Sequence, residues 1–182
     1  MTAPPDGTVT RFVARDADEL RACLPGVEFE VLPLRPGRFE STLTTLRLGD
    51  IALQLGRSDP FMAFAAIGTG TAVLQLPLEN AEGLILNSRR CGPRTFCAYG
   101  AGAEMMRSHR RPSAHAALFL PADDCERLLA PPPRLGLFRP RSDILLRARP
   151  EQWKQTGALM TQISKTAGTT PDALAGAEAR RA

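Results

Sequence analysis

The sequence predicts a mainly β fold, an antiparallel β-barrel or sandwich followed by two or three helices, and three observations support it. Short apolar or alternating runs fill the chain from Glu28 to His115, and Gly, Pro, Asn and Asp separate them. The stretch from Pro36 to Gly56 has the pattern of a complete hairpin. Beyond residue 149, apolar residues recur with the period of a helix instead of the period of a strand.

The hairpin "PGRFESTLTTLRLGDIALQLG" indicates a cavity beside it. Gly49 and Asp50 supply the turn between two arms of alternating residues. In the first arm threonines and leucines are mixed on both faces, so neither face is cleanly apolar. This pattern is typical of a barrel whose interior side chains line a cavity that they do not completely fill.

Two short helices are predicted at the ends of the β region. Asp16 opens the first with an acidic first turn, and Pro25 stops it. Pro121 suits the first turn of the second helix, where carboxylates near the amino end are favourable.

The carboxy-terminal part is predicted to be helical. An apolar stripe marks one helix over residues 150–167, and a further helix begins at Thr170 and reaches Ala182 without a stop signal. We therefore expect a barrel domain at 1–148 and a helical segment at 149–182. We also expect the sequence to be a fragment of a longer protein.

Length and charge favour one soluble domain. The 182 residues suit a single domain, and the net charge is +4 with a pI of about 9.2. A basic balance can indicate nucleic-acid binding, but the arginines are spread along the chain, so a solvated surface explains them. The longest apolar run, which starts at Phe61, is far shorter than the ~20 residues of a membrane span. With no secretory signal, the sequence indicates a cytoplasmic location.

The chain shows no catalytic or metal-binding motif. Its four cysteines have no regular spacing, and His109 and His115 are six residues apart without a carboxylate cluster. Paired carboxylates such as Glu79 and Glu82 lie in a predicted turn, and no phosphate-binding loop is present. We therefore expect no cofactor, no bound metal and no enzymatic activity.

Several phrases, in their order and spacing, resemble the amino-terminal domain of AraC-type bacterial transcription regulators. The similarity spans roughly Phe12 to Leu129, and the phrases that carry it are "DADELRACLPGVEFEVLPLRPGRFESTLTTLRLGDIALQLGRS", "LPLE", "FCAYGAGAE" and "LFLPADDCERLL". The resemblance implies a cupin-like barrel that binds a small effector, and helices that form a homodimer. It also implies a carboxy-terminal pair of helix-turn-helix units that binds DNA, which this chain does not encode.

An effector pocket would be lined from the barrel interior by large apolar side chains, with Arg38 as the polar anchor. The expected lining residues are Phe39, Phe61, Phe64, Leu74, Tyr99 and Met105. Apolar walls with one arginine would suit a small carboxylate. A slip of one residue in the strand register would turn the side chains assigned to the interior outward and bring the outward side chains into the interior.

The helix over residues 150–167 is the expected homodimer interface, through Trp153, Gly157, Met160 and Ile163. The same stripe could instead pack against the barrel. Two other functions stay open at this point, a small metal-free cupin-like enzyme and a purely structural dimerisation domain with a packed barrel.

Overall fold

The computed structural model describes residues 8–23, 28–79, 81–124, 141 and 143–169, which form two antiparallel sheets and two helices. The larger sheet contains β1 (Val9–Ala14), β3 (Ser41–Leu48), β4 (Ile51–Ser58), β6 (Thr71–Pro77), β9 (Thr95–Tyr99), β11 (Ser113–Pro121) and β12 (Asp143–Arg147). The smaller sheet contains β2 (Glu28–Pro33), β5 (Phe61–Ala66), β7 (Leu84–Leu86), β8 (Arg89–Arg90) and β10 (Glu104–His109). The helices are α1 (Ala17–Ala22) and α2 (Pro150–Thr169), and a 3-10 turn spans Ala81–Gly83.

The strand order confirms the predicted fold class in its sandwich form. The larger sheet runs β1-β3-β4-β11-β6-β9-β12 and the smaller one β2-β5-β10-β7-β8. Every paired neighbour among these strands is antiparallel. Within the described ranges β1 and β12 each have one neighbour, so the larger sheet stays open and does not close into a barrel.

The predicted hairpin forms β3 and β4. Its register runs from Ser41 opposite Ser58 to Leu48 opposite Ile51. At the turn, Gly49 has a φ of +59°, a left-handed conformation that a glycine adopts without a steric penalty. The hairpin therefore places Ser41 and Ser58 side by side at its open end.

Helix α1 packs against strands β1 and β2. The side chain of Asp16 accepts a hydrogen bond of 2.8 Å from the backbone N–H of Glu19, which caps the helix as its sequence predicts. Leu20 is buried in a cluster between the sheets that includes Phe39 and Phe61. The helix predicted from Pro121 lies mostly outside the described residues. The helix predicted from Thr170 lies wholly outside them.

Helix α2 covers the outer face of the larger sheet. Met160 and Ile163 pack against a buried apolar cluster on β3, β4 and β11, whose members are Leu46, Leu53, Leu55 and Ala116. The helix begins at Pro150, two residues beyond the predicted domain boundary. None of the described helices is long and apolar enough to cross a membrane.

Candidate functional site

A cavity of about 60 Å³ lies between the two sheets. Its wall is largely apolar but includes several polar side chains. The lining residues are Leu20, Phe29, Ser41, Leu43, Gln54, Ser58, Phe61, Ala65, Ile67, Val73, Gln75, Met105, Arg107, His115, Ala117 and Phe119. An apolar cavity with a few convergent polar groups is the usual form of a small-molecule site, so we treat it as the candidate site.

The cavity exists because small residues occupy the middle of both sheets. Ala117 on β11 lies opposite Gln54 of β4 and Gln75 of β6, so two amides flank a short side chain. On the smaller sheet, Ala65 faces the same space. Longer apolar residues at these two positions would fill the interior, as they do in ordinary sandwiches.

Arg107 on β10 is the buried charge of this site. Its side chain is only 3% exposed, and it lines the cavity. One terminal nitrogen donates a hydrogen bond of 3.4 Å to Ser113 Oγ, the guanidinium carbon lies 5.5 Å from the ring centre of Phe61, and Nε has no hydrogen-bond partner. Burial lowers the pKa of Arg107 to about 10, so the group stays charged at neutral pH.

His115 projects into the cavity beside Arg107. Its ring lies over Gly56, the residue opposite it on β4, where an added Cβ would be 2.3 Å from His115 Cε1. A side chain at position 56 would therefore collide with the imidazole. Nδ1 of His115 has no partner, and burial, with the charge of Arg107, holds the pKa of this histidine well below its ordinary value.

His109 is held in a neutral state next to the cavity. Its Nδ1–H donates to the carbonyl oxygen of Arg111 at 2.9 Å, and Ser113 Oγ lies 3.1 Å from the same nitrogen. The ring meets Phe61 edge-on, with centroids 4.5 Å apart. Burial and the nearby Arg107 lower the pKa of His109 to about 4. The two imidazoles are therefore uncharged at neutral pH.

Buried hydroxyls complete the polar side of the interior. The hydroxyls of Ser41 and Ser58 share a hydrogen bond of 2.7 Å, and Ser58 is paired with Ser113 on the next strand. Gln75 Oε1 is buried without a hydrogen-bond partner in the described part of the chain. An unpaired buried acceptor is costly, so this oxygen could accept a hydrogen bond from a polar ligand.

The structure places two of the predicted effector residues at the cavity. Phe61 and Met105 line it. Phe39 stands one layer behind, in edge contact with Phe61 at 6.2 Å, and Tyr99 is fully buried in the core cluster against which Met105 packs.

The other three predicted residues lie elsewhere. Phe64 is 41% exposed on the outer face of the smaller sheet, because a strand cannot place residues three apart on the same side. Leu74 faces outward, since its neighbours Val73 and Gln75 line the cavity. Arg38 is exposed and forms an ion pair with Glu40 at 3.4 Å.

Arg107, His115, Gln54 and Gln75 were not predicted, although the pleat gives a signal for two of them. Met105 was assigned to the interior, and the residue two further along β10 is Arg107. Likewise, His115 shares a face of β11 with Ala117 and Phe119. Arginine and histidine are usually placed at the surface when only the sequence is known.

The described residues contain no group of three or more His, Cys, Asp or Glu side chains that could hold a metal ion. Cys23, Cys91 and Cys97 are free thiols. Burial raises the pKa of Cys23 and of Cys91 to about 11 and also raises that of Cys97, so these thiols are protonated at neutral pH. Cys125 lies outside the described residues.

The predicted dimer residues are divided between two environments on α2. Met160 and Ile163 are seated on the larger sheet. Trp153 is half-buried beside a groove that Arg90 and Arg111 also line. At Gly157 a Cβ would meet no described atom within 4 Å outside the surrounding turns of the helix. Leu159, which is 51% exposed, is the large apolar residue that this helix presents to solvent.

Comparison with solved structures relates this fold to a transcription factor. The crystal structure of the AraC-like transcriptional activator CuxR matches with a TM-score of 0.54 and 16% sequence identity, over 91% of this chain and 66% of that chain. At this identity the likeness shows a shared fold. It confirms the resemblance to AraC-type regulators as a similarity of fold. No protein-family model matches the chain, and no curated protein matches it.

Proposed function

We propose that this chain is the ligand-sensing and dimerisation module of an AraC-type transcription regulator of the bacterial cytoplasm. The interior cavity, with a buried guanidinium and unpaired polar atoms, is the observation that carries the proposal. The similarity of fold to an AraC-like activator supports the regulatory role. DNA would be bound by a part of the regulator outside this chain.

The interior groups suit binding better than catalysis. His109 and Ser113 are the pair that most resembles a base and a nucleophile. Because a carbonyl oxygen can only accept, the contact with Arg111 places a proton on Nδ1 of His109, and this nitrogen cannot take a proton from Ser113. Neither residue lines the cavity. We therefore favour a sensor over a metal-free enzyme.

The cavity also argues against a purely structural module. A domain that only dimerised would gain stability by packing its interior with apolar residues, because each unpaired buried polar atom weakens the fold. Gln75 Oε1, His115 Nδ1 and Arg107 Nε are all buried and have no hydrogen-bond partner among the described residues. A ligand that satisfies these atoms gives a reason for their presence.

Self-association is the second half of the proposal, and it assigns the interface to α2. Met160 and Ile163 hold the helix on the sheet, so its contact with a second copy would use the adjacent exposed side that carries Leu159. A helix can bury one side on its own domain and another on a partner. A two-fold dimer also matches the paired half-sites to which such regulators bind.

Native mass spectrometry of the purified chain tests both halves. We expect a dimer that retains a small molecule. Leu159→Glu should shift the chain to the monomer, because it places a charge in an apolar contact, whereas Phe64→Glu should leave the dimer intact. The two residues are similarly exposed apolar side chains on different surfaces, so Phe64 provides the matched control.

Three outcomes would contradict the proposal. A monomeric wild-type chain would remove self-association through α2 for these 182 residues. Dissociation by Phe64→Glu alone would move the interface to the outer face of the smaller sheet. A chain that retains no small molecule, and whose cavity side chains respond to no added compound, would leave the interior without a sensing role.

A further inference from the structure

The charge of Arg107 has no counter-ion within the described part of the protein. The ion pairs of that part join Arg21 to Asp18, Arg38 to Glu40, Arg57 to Glu79 and Arg89 to Asp143, and none of them includes Arg107. A buried charge is normally paired, because removing it from water is expensive unless an opposite charge and hydrogen bonds replace the solvent. Arg107 has one hydroxyl contact and one aromatic ring.

The neighbouring groups do not supply a negative charge. Tyr99 and Cys91 are near enough to interact electrostatically with Arg107. Burial raises the pKa of Tyr99 and of Cys91, so both stay protonated and neutral. The face of Phe61 offers only a weak attraction to a cation. Among the described residues, the guanidinium therefore has no compensating negative charge in a largely apolar cavity.

The shape of a missing counter-ion follows from the cavity wall. Arg107, His115 and Gln75 supply polar atoms, while Ile67, Val73, Ala117 and Phe119 supply hydrocarbon surface. A cavity of about 60 Å³ is less than half the volume of an engineered cavity of about 150 Å³ that holds benzene. A carboxylate with a short hydrocarbon part fits a wall of this size and chemistry.

We propose that the effector of this domain is a small monocarboxylate, and that the guanidinium of Arg107 binds its carboxylate while the apolar wall contacts its hydrocarbon part. This inference rests on the proposed sensing function. A guanidinium matches a carboxylate with two parallel hydrogen bonds, which a neutral amide cannot reproduce. His115 and Gln75 complete the polar side of the site. The anchor is thus Arg107, and the exposed Arg38 has no part in it.

Methyl NMR titration with propionate, and with propionamide as its neutral counterpart, tests the inference. The readout is the signals of Ile67, Val73 and Ala117, with Leu159 as a reference outside the cavity. We expect propionate to bind at least about tenfold more tightly than propionamide, since a hydrogen bond to a charged group exceeds a neutral one by this order. Sodium chloride at the same concentration should leave the three cavity signals unchanged.

Two matched variants locate the anchor. Arg107→Met should weaken propionate binding at least about tenfold and leave propionamide binding nearly unchanged, and Arg38→Met should alter neither. Both substitutions remove one guanidinium, one of them buried and the other exposed. Arg107→Lys, which keeps the charge without the planar fork, provides a second variant if Arg107→Met does not fold. The comparison of propionate with propionamide on the wild-type chain tests the inference even if neither variant folds.

Four results would overturn the inference. These are equal binding of the two probes, the same shifts with chloride, a loss of binding in Arg38→Met instead of Arg107→Met, and no cavity shift with either probe. In each case the carboxylate inference is wrong, but the sensing proposal survives if native mass spectrometry finds a retained neutral molecule or if propionamide moves the cavity signals. Both proposals fail only if the cavity binds no molecule at all.

Discussion

Both faces of the larger sheet carry buried side chains, yet the two faces differ in chemistry. The outer face presents Leu46, Leu53 and Leu55 to Met160 and Ile163 of α2, and its cluster contains only apolar side chains. The inner face, on the same strands, carries buried Ser, Gln and His residues around a cavity. Stability alone favours the first composition on both sides. This difference fits the proposed ligand-binding role of the inner face, whereas the outer face has the composition of an ordinary packed core.

Acidification should produce the largest effect, and it should act through the inner face. The pKa of His109 is about 4 in the folded chain and about 6.5 when exposed, so between these values the unfolded chain binds more protons. The free energy of unfolding therefore falls as the pH falls below 6.5. The loss due to this residue is roughly 1.4 kcal/mol per pH unit and amounts to about 3 kcal/mol in total near pH 4. His115 acts in the same direction.

Urea unfolding at intervals from pH 7.5 to pH 5 measures this loss. His109→Gln should reduce the slope of stability against pH, whereas Leu55→Val on the outer face should lower stability equally at every pH. A stability that stays constant across this range would show that the imidazoles are not buried as neutral groups, and the contrast between the faces would be lost.

Substitution of Gly56 should have the next largest effect. In Gly56→Ala the new Cβ would lie 2.3 to 2.9 Å from three atoms of the His115 ring, so the imidazole must move within a packed interior. We expect a loss of about 1–3 kcal/mol in the free energy of unfolding, as for other overpacked sites. Chemical denaturation measures it, with Gly70→Ala as the control, because beyond its chain neighbours no described atom lies within 4 Å of a Cβ at that position.

The combination Gly56→Ala with His115→Ala makes this test specific. Removing the ring should abolish most of the penalty for the alanine at position 56, so the two effects should be strongly non-additive. If the penalty is unchanged without the ring, the strain arises in the backbone of β4 and the proposed role of Gly56 is wrong.

The pleat explains how much of the site could be predicted from the sequence. Turn residues and alternation gave the hairpin and the sandwich, because these are local properties of the chain. The interior set was less predictable, since Phe64 and Leu74 were chosen for their size and lie on the opposite face from Phe61 and Val73. Alternation from Met105 would have led to Arg107. That this arginine meets His115 depends on how two sheets pack, which no local pattern contains.

The polar interior escaped prediction for an energetic reason. Arginine and glutamine are mostly exposed in proteins and histidine is intermediate, so sequence patterns favour large apolar residues for the interior. Here the cavity reverses that preference at Gln54, Gln75, Arg107 and His115. Local patterns therefore predict the fold better than the site, because a binding site departs from the preferences that otherwise stabilise a fold.

The smallest expected effect concerns Gly157 on α2, and it tests the outer face. Because no described atom outside the surrounding turns of α2 lies within 4 Å of a Cβ at this position, Gly157→Ala adds helix propensity without a collision with those residues. We expect a gain of up to about 1 kcal/mol in the free energy of unfolding, measured by urea denaturation.

If a second chain approached the helix backbone at Gly157, the same methyl group would instead weaken the dimer, which sedimentation would detect. A more stable chain with unchanged association would place the contact at Leu159, away from the glycine. A less stable chain would show that α2 packs more tightly on the sheet than the open space around Gly157 indicates.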